Sequence, residues 1–219
     1  YVRRAFIYPH GFCTDLVENR QLAPFLTGLV GLASFISLSA LLTSFIYHFR
    51  FNTYLDEWLT WLLPSAGMKY RAIWLIWHPP ALIVLLTAVL EGLALLQAVL
   101  IKGVVIWQHR YLRFAQILSF VHWVPACFLF SLPLVIILYQ ALERNYLVSF
   151  LLLALLVLVI WWIVRMFRGL KVILQTTALK TLLFQAIMLA GLIFLLILCF
   201  EPGRSLWAYT SYYSSLLSR

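Results

Sequence analysis

Long apolar runs organise this chain. Five stand out, at about 22–47, 79–101, 115–139, 147–164 and 181–200. A helix needs ~20 apolar residues to cross a ~30 Å hydrocarbon core, and each run is near or above that length. The fourth is the shortest, but residues 151–160 are wholly aliphatic. The second is interrupted by His78-Pro79-Pro80. Proline suits a first helical turn, where its missing N–H does no harm. That helix therefore starts at Pro79, with Tyr70–Trp77 as an interfacial lead-in. The pattern predicts an all-α fold, a polytopic membrane bundle of five transmembrane helices joined by short amphipathic interfacial helices.

The pieces between the spans read as surface helices rather than domains. Asp15-Leu16-Val17-Glu18 looks like an N-cap followed three residues on by an acid, the start of a short surface helix. Tyr54, Trp58, Trp61 and Leu62 recur at helical spacing, with Asp56 and Glu57 on the other face. Such a segment lies in the interface with an aromatic belt. Residues 206–217, with Trp207, form a similar aromatic tail. The expected organisation is an N-terminal segment over 1–21, a five-helix domain over 22–200 and an interfacial tail over 201–219.

Composition agrees with this reading. Hydrophobic residues make up 64% of the chain and charged residues 11%, against about 25% charged in soluble domains. The net charge of +9 is explained by basic residues that flank apolar runs, not by a nucleic-acid groove. Arg3, Arg4, Arg20, the 102–113 loop and the 165–180 loop share one side and hold 10 of the 16 lysines and arginines. The positive-inside rule places that side, and the N-terminus, in the cytoplasm, with the C-terminus outside. Trp58, Trp61, Trp207, Arg110, Arg113, Arg168 and Lys171 are the expected interface anchors. A bacterial cytoplasmic membrane is the expected location. No cleavable signal peptide is expected, because the first run is too long for one. Cys13, Cys127 and Cys199 form no C-x-x-C pair and read as small apolar fillers.

Few residues could carry chemistry. Glu91 is the one acid inside a span, where a charge is expensive. The plainest reading is a protonated carboxyl bonded to Ser34 or Ser37 on a neighbouring helix. A relay would need further polar groups across the bilayer, and only Gln97 follows on the same helix. Gly28, Gly31, Ser34 and Ser37 crowd the first span, where small residues let backbones approach. Pro125 and Pro133 predict kinks in the third. Of the five histidines only His122 lies clearly within a span, and His78 heads the second span at the opposite surface. They cannot ligate one haem. No catalytic, phosphate-binding or metal-binding motif is present in the sequence, so no cofactor and no metal are expected.

Three stretches carry a family resemblance. They are Pro9-His10-Gly11-Phe12 with Leu16-Val17-Glu18-Asn19, Arg110-Tyr111-Leu112-Arg113-Phe114 with Ile117-Leu118 and Pro125, and Arg168-Gly169-Leu170-Lys171-Val172 with Thr177-Ala178-Leu179. In this order they resemble the Ypt/Rab-interacting (YIP) membrane protein domain, in particular its bacterial branch. The resemblance spans about residues 5–200. It departs in a glycine patch reduced to Gly103 and in the aromatic tail over 204–219. It implies five helices, an inner N-terminus and a partner protein rather than an enzyme. Eukaryotic members of that family work with small GTPases, and some bacterial members look like accessories to export systems.

The first functional expectation is therefore a non-enzymatic accessory or scaffold subunit of a larger membrane complex, with the lipid bilayer and other integral membrane proteins as partners and no nucleic acid. The alternatives are a small transporter or channel using Glu91, and a haem- or quinone-binding anchor.

Overall fold

The computed structural model describes residues 9–18, 24–51, 53–63, 65–109, 111–135 and 146–199. Among them the chain is all-helical and contains no strand. Eight α-helices follow in order. They are α1 (Pro9–Val17), α2 (Pro24–His48), α3 (Thr53–Leu62), α4 (Ala66–Trp77), α5 (Pro79–Trp107), α6 (Phe114–Trp123), α7 (Tyr146–Leu174) and α8 (Ala178–Cys199). A seven-residue 3-10 segment, Val124–Phe130, extends α6, and residues 131–135 return to α-helix. Four of these stretches are long and apolar enough to cross a membrane: Phe25–Phe51, Pro79–Trp107, Phe114–Val135 and Leu153–Leu174. That is the organisation of an integral multi-pass membrane protein. The apolar helix α8 follows them.

The expected start at Pro79 agrees with the structure, where Pro79 and Pro80 open α5. Elsewhere the helices run on. Helices α5 and α7 each contain 29 residues, about 43 Å at 1.5 Å per residue. The expected 165–171 loop is therefore helix. Arg168 and Lys171 are exposed on the last turns of α7, and Arg165 is buried in the bundle. The connection to α8 is only residues 175–177. Gln175, at φ 45°, turns the chain there. The far end of the third span, 136–139, and the 201–219 tail lie outside the described residues.

The N-terminal surface helix also differs from expectation. It begins at Pro9, and Asp15 sits near its end, buried, rather than at its N-cap. Asp15 is thus an interior, buried helical residue and not a cap. Phe12, Cys13 and Leu16 recur at helical spacing and are buried in the main core against α6 and α7. Gly169 makes this docking close. A Cβ there would collide with the Phe120 ring and come within 3.1 Å of Cys13 Sγ.

The third span is the centre of the bundle. Helix α6 starts at Arg113, whose backbone N–H donates to Gln116 Oε1 at 2.7 Å. The same side chain turns Nε2 to the Leu16 carbonyl of α1, also at 2.7 Å. One glutamine thus caps α6 and ties down α1. Beyond Trp123, Pro125 has no N–H to give and clashes with the preceding turn. The chain tightens into 3-10 geometry for longer than the usual three or four residues. It is held by packing, since Val124 through Phe128 are all buried. Arg165 Nη2 donates to the Trp123 carbonyl at 2.9 Å, and Ser131 Oγ to the Phe128 carbonyl at 2.6 Å.

At one end the chain is lined with rings. Arg50 lies over Tyr47, Phe51 and Trp77, with its guanidinium carbon 3.8, 4.4 and 5.5 Å from their centroids. This joins the end of α2 to the start of α5, so the two helices run antiparallel. Lys69 bridges α4 to Asp56 on α3 at 2.9 Å. Trp58 and Trp61 lie on α3, but their side chains, like residues Arg110 and Trp207, fall outside the described part.

Candidate functional site

Glu91 and His122 form the polar centre of the bundle. Glu91 projects from the buried stripe of α5 that also carries Thr87, Ala94 and Ala98. His122 sits one residue before the end of α6. Its Nε2 lies 2.7 Å from Glu91 Oε1. The partner of Glu91 is thus an imidazole on the third span, not a hydroxyl on the first. Ser34 Oγ instead donates to its own Val30 carbonyl at 2.6 Å. Ser37 accepts from Ser131 Oγ at 3.2 Å.

The other ring nitrogen fixes the protonation chemistry. His122 Nδ1 lies 2.8 Å from the Leu118 carbonyl. A carbonyl can only accept, so Nδ1 carries a hydrogen. In the neutral ring Nε2 is then an acceptor. A hydrogen bond to Glu91 therefore requires one more proton, either on the carboxyl or on Nε2. In both forms the pair is neutral overall, which suits a site in low dielectric. Both ring nitrogens are engaged, and neither is presented to a metal or haem iron.

Helix α2 closes the site from the third side. A Cβ at Gly31 would collide with the His122 ring, so the small residue lets α2 lie flat against the imidazole. Phe35, one turn on, meets it edge-on at 6.2 Å between centroids. Gly28 is exposed with open space where a Cβ would be, so of the two glycines only Gly31 serves the packing. Gln97 faces away from the pair, and its Nε2 lies 3.8 Å from Met166 Sδ on α7. Trp123 Nε1 reaches Thr27 Oγ1 at 3.4 Å, which pins α6 to α2 a second time.

His122 was legible as the one histidine within a span, and its depth was legible too. From the adjoining ends of the second and third apolar runs, near residues 101 and 115, Glu91 lies about 15 Å in and His122 about 10 Å in at 1.5 Å per residue. The missing information was which faces of the two helices meet.

A second cluster lies at the end where α5 hands over to α6. Lys102 Nζ donates to the Leu112 carbonyl at 2.6 Å. Leu16, Val17, Leu112, Gln116, Ile117 and Ile173 line an apolar crevice there, too narrow for a water molecule. No group of three or more metal-ligating side chains occurs among the described residues. The chain matches no protein-family model, no curated protein and no solved structure.

Proposed function

We propose that this chain is a non-enzymatic scaffold subunit that assembles with other integral membrane proteins, in the manner of a YIP-type membrane protein. One observation carries the reading. The three stretches behind that resemblance lie far apart in sequence and pack together at one end of the bundle. Cys13, beside Phe12 on α1, packs at Gly169 of α7. Leu16 of α1 is bonded by Gln116 of α6. Ile117 and Ile173 share a crevice with Leu16. Phe12, Cys13, Leu16, Ile117 and Ile173 are buried, so they lock three helices into one rigid end of the bundle, which suits a scaffold.

The interior supports the same reading. Interhelical polar bonds pin the helix crossings, through Glu91 with His122, Ser131 with Ser37, and Arg165 with the Trp123 carbonyl. Such bonds hold a bundle in one arrangement. The charge distribution favours an N-terminus on the cytoplasmic side, and the resemblance to the bacterial branch favours a bacterial cytoplasmic membrane.

The test is isolation of the chain from native membranes in a mild detergent. An integral membrane protein should co-purify in fixed stoichiometry, and its abundance should fall when this chain is deleted. Recovery as a bare monomer or homo-oligomer, with no protein depleted by the deletion, overturns the reading.

A further inference from the structure

We propose that the Glu91–His122 pair is a proton-binding site that exchanges its proton through a one-sided column of hydroxyls leading to the His48–Pro79 end of the bundle. The inference does not depend on the scaffold reading.

The column is made of buried oxygens without a hydrogen-bond partner. They are Glu91 Oε2, Thr87 Oγ1, Ser39 Oγ and Thr43 Oγ1. Thr87 is 8% exposed, Ser39 0% and Thr43 2%. A serine or threonine in a helix ordinarily bonds the carbonyl one turn back. Ser34 and Ser44 do so here, at 2.6 and 2.8 Å. Ser39, Thr43 and Thr87 do not, so their hydroxyls are left to other partners. A buried polar atom without a protein partner is normally met by water.

The spacing makes these oxygens a sequence of steps. Helices α2 and α5 are antiparallel, and the pair lies level with Gly31 and Phe35 of α2. Thr87 is one turn from Glu91 on the same face, about 6 Å nearer the His48–Pro79 end. Ser39 lies about 6 Å beyond Phe35 along α2, and Thr43 about 6 Å further. Ser37 faces the 3-10 segment. Ser39 is two residues on, about 200° round the helix, away from that segment.

The other direction is closed. Past Glu91 the buried stripe of α5 is Ala94, Ala98, Ile101 and Val105. On α2, Thr27 is engaged by Trp123 and Ser34 by its own backbone. The unpartnered hydroxyls thus lie to one side of the pair, which suits a sensor of that compartment rather than a conductor across the bilayer.

Proton loss changes the bond itself. The proton leaves the Nε2–Oε1 contact through the column, and Glu91 is left as a carboxylate. His122 stays neutral because Nδ1 keeps its hydrogen on the Leu118 carbonyl. The Nε2 lone pair then faces an anion, and the attraction between α5 and α6 becomes a repulsion. Other elements bring few charges to the site. Helix α2 offers Gly31 and Phe35. Helix α7 brings Arg165, which ends on the Trp123 carbonyl, and α1 brings Cys13, packed at Gly169 of α7, and the buried Asp15. The event would be felt first in the 3-10 segment that begins two residues after His122.

The test is infrared difference spectroscopy on the full chain in lipid nanodiscs, with pH jumps between about 4 and 9 to bracket ordinary carboxyl and imidazole titration. Wild type should show a titrating carboxyl signal. Glu91→Gln should remove it while staying folded, because the amide N–H can still donate to Nε2. Thr87→Val, with Ser39→Ala, should slow the signal's relaxation by about tenfold or more. A wild-type carboxyl signal indistinguishable from that of Glu91→Gln overturns the site. Unchanged relaxation in the Thr87→Val, Ser39→Ala variant overturns the column.

Discussion

Gly31 and His122 occupy the same space to the limit that a bare Cα allows. A Cβ at residue 31 would collide with the imidazole. The glycine sets how closely α2 approaches α6, and so where His122 meets Glu91.

Gly31→Ala should therefore be destabilising despite alanine's better helix propensity. Overpacking costs about 1–3 kcal/mol, and the propensity gain returns at most about 1 kcal/mol. A lowered midpoint in thermal unfolding of the detergent-solubilised chain would show it. Gly28→Ala, at an exposed helical position with room for a methyl, should leave the midpoint unchanged or raise it.

Glu91→Gln and Glu91→Leu should part company. The amide can donate to Nε2 and preserve the 2.7 Å contact, so its stability should stay close to wild type. Leucine leaves Nε2 of a buried ring without a partner, which costs about 1–3 kcal/mol. Equal unfolding midpoints for the two variants would contradict this account of the pair.

Gln116→Leu should loosen α1 selectively. It removes both the bond to the Arg113 N–H and the bond to the Leu16 carbonyl, each worth about 0.5–1.5 kcal/mol net. Hydrogen exchange should rise over residues 9–17 and little elsewhere. Uniform acceleration across α2 and α5 would instead mean that the glutamine stabilises the whole bundle.

Cys13 should be inert in the folded chain. Burial pushes its thiol from 9.0 up to about 12, against the opposing influence of Arg165. The fold thus favours the neutral thiol, while the unfolded chain ionises from about 9.0. This contribution is complete below pH about 9 and is lost as pH rises toward 12. A thiol-alkylating reagent at pH 8, with the site read by mass spectrometry, should spare Cys13. In Gly169→Leu the enlarged side chain should displace α1 and let Cys13 react.

The same contacts separate what could be read along the chain from what could not. Long apolar runs dictated membrane-length helices, because hydrocarbon tolerates no unpaired backbone and few charges. Proline at position 79 marked a helix start, because its geometry acts locally. The ends were less legible. Helix α7 continues through Arg165 to Leu174 because nothing breaks it, and basic residues at its end do not by themselves make a loop. The Asp15 capping pattern failed because the helix already includes residues before it and packing claims Asp15 as a buried residue.

By itself the sequence determined the class of the protein, its apolar spans and the singular status of Glu91, since each follows from local composition and the bilayer's demands. Only the tertiary structure decided that Glu91 meets His122, that Gly31 and Gly169 are close-approach points, and that the Ser39, Thr43 and Thr87 hydroxyls are buried without a partner. Those facts depend on the relative rotation of neighbouring helices. In a bundle whose outer surface is apolar all round, periodicity carries little information about rotation, and side-chain packing sets it.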